Sequence, residues 1–124
     1  MEKIVLDTNI LIEILKGNQA IVEKLERGDF VHCISAITVM ELYYGALNKA
    51  ELIRLKKFIT LFEVIEVNTD ISILSITLIY TYAKSHNLAI PDSLIAATAM
   101  SKNIKILTLN LKDFKYIEGL ILLK

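Results

Sequence analysis

One cysteine, one proline and four glycines leave this sequence few of the devices that hold small irregular proteins together. Cys33 alone cannot form an internal disulfide. His32 and His86 have no second histidine or cysteine at ligand spacing, so nothing here reads as a zinc site. No Pro/Gly/Ser-rich linker, low-complexity tract or internal repeat interrupts the 124 residues, a length that suits one domain with a sizeable core and is too short for two. Charge of one sign is also missing: 14 basic and 14 acidic residues cancel, so no global positive field attracts nucleic acid and any such binding needs local patches. No apolar run approaches the roughly 18 residues of a membrane span, and Asp7 and Glu13 break the N-terminal apolar stretch where a signal peptide needs continuity. A cytosolic (cytoplasmic) protein with no membrane partner is expected.

What the chain does have is apolar residues, 54% of the total, slightly above the usual share of about 45–50% and enough to leave some apolar surface for a partner. They are arranged in alternating elements. Lys3–Leu6 reads as a buried strand that stops at Asp7. Ile10–Leu15 and Ala20–Leu25 read as short helices separated by Gly17-Asn18, and Phe30–Ile34 as a second strand in which Cys33 is a packing residue. Ser35 is expected to cap a helix over Ala36–Leu47. Helix Glu51–Phe62, strand Val64–Val67, and a helix from a Thr69 or Asp70 cap to about Ser85 follow. Pro91-Asp92 starts another helix, Ile104–Leu107 makes a fourth strand, and Leu120–Leu123 is a candidate fifth. Strands separated by helices, without hairpin turns, imply a parallel sheet covered on both faces.

Most acidic residues, among them Glu2, Glu23, Glu26, Glu51, Glu63 and Glu66, read as solvated. Three stand out. Asp7 sits at a strand's carboxyl end, where open α/β sheets bind ligands, although it could equally cap the first helix. Glu41 shares a helix stripe with Ile37, Tyr44 and Gly45, and a carboxylate on such a face needs a partner. Asp92 opens a helix whose stripe continues through Ile95, Ala96 and Ala99, small or apolar residues suited to docking on a sheet. If the three converge they repel one another, and a divalent cation resolves the repulsion. An all-oxygen set suits Mg²⁺ or Mn²⁺ better than zinc. Asp70, by contrast, reads as a capping residue.

Four segments in order, Ile4-Val5-Leu6-Asp7-Thr8-Asn9, Ser35-Ala36-Ile37-Thr38-Val39-Met40-Glu41-Leu42 with Gly45, Ile90-Pro91-Asp92-Ser93-Leu94-Ile95-Ala96-Ala97, and Leu107-Thr108-Leu109-Asn110-Leu111-Lys112-Asp113-Phe114, resemble the PIN domain, specifically its VapC-type toxins. The resemblance spans nearly the whole chain. It implies a three-layer α/β/α fold over residues 1–124, with a central, mainly parallel sheet of four or five strands. It also implies a metal-dependent endoribonuclease using Mg²⁺ or Mn²⁺, usually a homodimer, paired with a small antitoxin that inserts a segment into the acidic site. Asp7, Glu41 and Asp92 match the family's metal-binding and catalytic acids, with Thr8, Asn9 and Thr108 in support. At the fourth acidic position this chain has Asn110, with Asp113 shortly after, and either could complete the site. An amide adds no negative charge, so a second metal site would be weaker here. Lys16, Arg54, Lys56, Lys57, Lys102, Lys112 and Lys115 are candidates for RNA phosphates. Two other readings stay open: a noncatalytic PIN-like interaction module, and a phosphohydrolase of small substrates. The second is disfavoured because Asn9 stands where an Asp-x-Asp pair would need its second acid.

Overall fold

Ile4, Val5 and Leu6 are completely buried in the computed structural model, which describes residues 1–124. Each such side chain contributes about 1.5–3 kcal/mol by leaving water, which is why this short run nucleates the middle of a sheet. β1 (Glu2–Leu6) is flanked by β2 (Phe30–Ser35) on one side and β4 (Lys105–Leu107) on the other, with β3 (Glu63–Ile65) at the edge, giving the order β3-β2-β1-β4. All pairings are parallel; Val5 stands opposite both Cys33 and Ile106, and Ser35 opposite Ile65. The candidate fifth strand reduces to one parallel bridge, Ile106 with Leu122, tied by Leu123 N to Ile106 O at 2.8 Å. The sheet therefore has four strands.

Alternate residues of each strand face opposite layers. Ile4, Leu6, Ile34 and Leu107 pack beneath α1 (Thr8–Leu15), α2 (Gln19–Arg27), α3 (Ala36–Tyr44) and α4 (Lys49–Ile59). Val5, Cys33 and Ile106 pack beneath α5 (Thr69–His86) and α6 (Ile90–Ser101), together with Phe114 and Ile117. Buried Ala96, Ala97 and Ala99 let α6 lie close to the sheet, and a 2.7 Å hydrogen bond between the buried hydroxyls of Ser75 and Ser93 pins α5 to it.

Helix starts follow local chemistry. Asn18 caps α2 after Gly17, whose φ of +82° favours a residue without Cβ. Ser35 accepts from Ile37 N as expected. Three sequence expectations are corrected. α3 stops at Tyr44, so Leu47 lies outside it and is 86% exposed. β3 is Glu63–Ile65 rather than Val64–Val67. The cap of α5 is Asn68, whose Oδ1 accepts from Ile71 N at 2.9 Å; Asp70 sits in the first turn, where its charge favours the helix dipole without capping. No helix is long and apolar enough to cross a membrane.

Candidate active site

The strand order reverses direction at β1, since the chain moves from β1 outward to β2 and β3 and returns to β4 on the other side. The carboxyl ends of β1 and β4 thus border the crevice that such sheets use for ligands. Asp7 lies there, 5% exposed, with its backbone N–H donating to Leu107 O at 2.9 Å. It is both helix cap and site candidate: Oδ1 accepts from Thr8 N at 2.8 Å and Oδ2 from the Thr108 hydroxyl at 2.7 Å. Burial raises its pKa, the two hydrogen bonds pull it down, and the charges of Glu41 and Asp113 push it up again.

Glu41 reaches the same edge from α3. The Thr8 hydroxyl donates to its Oε1 at 2.7 Å, which leaves Thr38, 2.9 Å from Thr8 and fully buried, to donate into the Thr8 oxygen. One hydroxyl relay therefore holds the carboxylate. The helix stripe that Glu41 shares with Tyr44 is open to solvent at that end, since Tyr44 is 94% exposed. Asp92, in the first turn of α6, accepts no hydrogen bond, and its pKa rises to about 6. Burial is the largest cause, followed by the charges of Asp7, Asp113 and Glu41.

The fourth position separates into two unlike residues. Asn110 is exposed, and its backbone N–H donates to the Thr108 hydroxyl at 3.0 Å while its side chain caps nothing. Asp113, half-buried at the end of a 3-10 turn (Leu111–Asp113), is the one whose charge is felt at both Asp7 and Asp92. Asn9 ties the segment down by accepting from Leu109 N at 3.4 Å.

None of the four carboxylates has a basic partner: the ion pairs of the chain are Lys3–Glu63, Lys16–Glu13, Arg27–Glu23 and Lys105–Glu2. Uncompensated, purely oxygen-donor and mutually repelling, the set suits a hard divalent cation. The side chains are not drawn together into a ligand cage, as no three acidic, histidine or cysteine residues stand at metal-binding spacing. Closing on an ion requires side-chain rotation, which no hydrogen bond to the Asp92 or Asp113 carboxylate opposes, whereas Asp7 and Glu41 are tethered by Thr8 and Thr108.

The residues outside the cluster are as informative. Cys33 is buried as expected, but its thiol donates to Glu63 at 3.1 Å, and burial pushes its pKa up to about 12. Glu63 is therefore not simply solvated; it bridges Cys33 and Lys3. His32 is half-buried in β2, its Nε2 lacks a hydrogen bond and burial lowers its pKa, disfavouring the charged ring. Lys102 lines a groove with Lys3 and Glu63 near the start of β4, away from the acids, whereas Lys112 and Lys115 flank Asp113. Sequence reasoning missed Thr38; its position three residues before Glu41 on the same helix was the available signal. It also missed the contact of His86 with Tyr116.

Comparison with known proteins agrees with this architecture. The family model described as PIN domain matches residues 4–120. The "tRNA(fMet)-specific endonuclease VapC" of Salmonella typhimurium is 32% identical over 97% of this chain and 96% of its own length. "Ribonuclease VapC1" of Rickettsia felis is 31% identical over 94% of this chain and 92% of its own. A crystal structure of DNA-bound VapBC from Salmonella typhimurium superposes with a TM-score of 0.85 and 30% identity, covering 99% of this chain and 98% of that one. With matched segments from β1 through the turn after β4 and a shared fold, the chain belongs to the PIN domain family, in its VapC group.

Proposed function

We propose that this protein is an endoribonuclease toxin that cleaves RNA at the Asp7–Glu41–Asp92 edge with the help of Mg²⁺ or Mn²⁺. The observation that carries the reading is a group of four interacting carboxylates with no basic partner, at the switch point of a sheet whose relatives are named ribonucleases. Asp7 and Asp92 would hold the ion, with Asp113 as the fourth acid. When bound, the ion lowers the pKa of water and polarises a phosphoryl oxygen. Glu41, fixed through Oε1 by Thr8, uses its other oxygen to orient the attacking water. The water oxygen joins phosphorus and loses a proton to solvent as the 3′ oxygen leaves and takes one from solvent, giving a 5′-phosphate and a 3′-hydroxyl without involving the RNA 2′-hydroxyl. Lys112 and Lys115 supply phosphate contacts on the same segment as Asp113.

A small antitoxin partner follows from relatives solved as VapBC complexes. A groove of about 320 Å³ lined by Ile12, Leu15, Leu42 and Leu55 together with Lys16, Glu41 and Glu51 offers such a partner a partly apolar seat that includes one of the acids. A homodimer is supported by the outer face of α5, where Ile73, Ile76 and Tyr80 are exposed.

A mixed RNA pool should be cut in Mg²⁺ and left intact in EDTA. Equal cutting in EDTA overturns the metal requirement, and no cutting in either favours the noncatalytic module. For the fourth position, Asp113→Asn should weaken calorimetric Mg²⁺ binding about tenfold, while Asn110→Ala leaves it within about twofold. The reverse order would put Asn110 in the site.

A further inference from the structure

Beside the acids lies an aromatic group that the proposed chemistry does not use. His86 ends α5 and Tyr116 follows the 3-10 turn that carries Asp113; their rings lie parallel, 4.1 Å apart and 9° from coplanar. Tyr82 supports both edge-on, at 5.7 Å from His86 and 5.1 Å from Tyr116, and its hydroxyl is fixed by Glu118 N at 3.1 Å. Tyr82 and Tyr116 lean on the core, whereas His86 is exposed: one face of the imidazole covers Tyr116 and the opposite face has no ring on it. Position is fixed by the backbone, since Asn87 turns the chain with φ of +56° and Leu88 N bonds back to Tyr82 O at 3.4 Å.

The location gives the stack its meaning. Only the turn Asn87–Ala89 separates His86 from α6, which carries Asp92 in its first turn, and Tyr116 is close enough to feel the charges of Asp92 and Asp113. An exposed, pre-ordered planar ring beside a phosphodiester site, with Lys112 and Lys115 nearby, has the features by which single strands are held: stacking on the base and cations on the backbone.

We propose that His86, backed by Tyr116, is a stacking platform for a nucleobase of single-stranded RNA flanking the cleaved bond. This rests on the ribonuclease reading above and adds a substrate contact to it. The ring acts through its planar face, so His86 is a binding residue and takes no part in bond breaking.

On a single-stranded RNA that the intact protein cleaves, His86→Ala should raise KM about fivefold to a hundredfold with kcat unchanged, and His86→Phe should stay within about twofold of the parent. An unchanged KM in His86→Ala, or equal defects in both variants, overturns the platform. A binding test independent of cleavage uses His86→Trp, which introduces the only tryptophan. In EDTA, its fluorescence should be quenched by a short mixed-sequence single-stranded RNA and not by an abasic strand of equal length. Quenching by neither, or equally by both, overturns the platform. If the intact protein cuts no RNA, the ribonuclease reading falls, while this quenching result still decides the platform.

Discussion

Asp92→Asn should reduce RNA cleavage by at least ~100-fold and, in the same protein, make the metal-free fold more stable at pH 7. The first effect exceeds the roughly 10–100-fold seen when outer partners of a metal site are removed, because Asp92 would touch the ion itself. The second follows from its surroundings. Its pKa stands at about 6 against an ordinary 3.8, so folding favours the protonated acid. The stability contributed is complete below the unfolded value of 3.8 and is lost as pH rises through about 6. At pH 7 the ionised group is a burden beside Asp7, Asp113 and Glu41, and a neutral amide removes it. Discounted for its partial exposure, the gain is ~1 kcal/mol. Thermal unfolding in EDTA should show a higher midpoint for Asp92→Asn at pH 7 and no advantage at pH 4. Saturating Mg²⁺ should reverse the order at pH 7, since only the parent is stabilised by bound ion. A lower midpoint at pH 7 in EDTA would mean that Asp92 has a partner in the apo protein.

Asp7→Asn should abolish cleavage as well but without stabilising. Both oxygens of Asp7 accept hydrogen bonds, from Thr8 N and from the Thr108 hydroxyl. An amide offers one oxygen, so one of these buried donors loses its acceptor. The two acids thus divide the work: Asp7 is fixed by its hydrogen bonds, and Asp92 is left with its oxygens unused. Such uncompensated charge is a stability cost, and it is the one expected if the proposed cation occupies the site.

The placement of the candidate acids on their elements was readable from sequence because it obeys local rules. Asp7 follows an apolar run that could only be a strand, and Asp92 follows the proline that starts a helix. Glu41 was singled out by its helix stripe, which ends in exposed Tyr44; the partner that its carboxylate needs is Thr8, from another element. That contact joins residues 33 apart, and the bond from Thr108 to Asp7 joins residues 101 apart, so no local pattern encodes either. The same holds for His86 on Tyr116. Strand and helix limits shifted where caps compete, as when Asn68 rather than Thr69 or Asp70 took up the free N–H of Ile71. Choosing between Asn110 and Asp113 required knowing which side chain shares an electrostatic neighbourhood with Asp7, a question of packing at the end of β4.

Mg²⁺ affinity should fall by about tenfold per pH unit below pH 6, because binding then requires releasing a proton from Asp92. At pH 5 a carboxyl with a pKa of about 6 is only about one-tenth ionised, and Asp7, whose pKa is also raised, steepens the fall as it joins. Calorimetry in two buffers of different ionisation enthalpy would count the protons directly: about half a proton or more per ion at pH 6, approaching none at pH 8. Affinity that is constant from pH 5 to 7.5 would remove Asp92 from the site. The coupling also makes Asp113 testable at a distance. Its charge is one of the causes that raise Asp92, so Asp113→Asn should move the midpoint to lower pH even as it weakens binding at pH 8. A bystander on the surface could produce neither change, and a simple ligand loss would weaken binding without moving the midpoint, so the two shifts together locate Asp113 inside the carboxylate group.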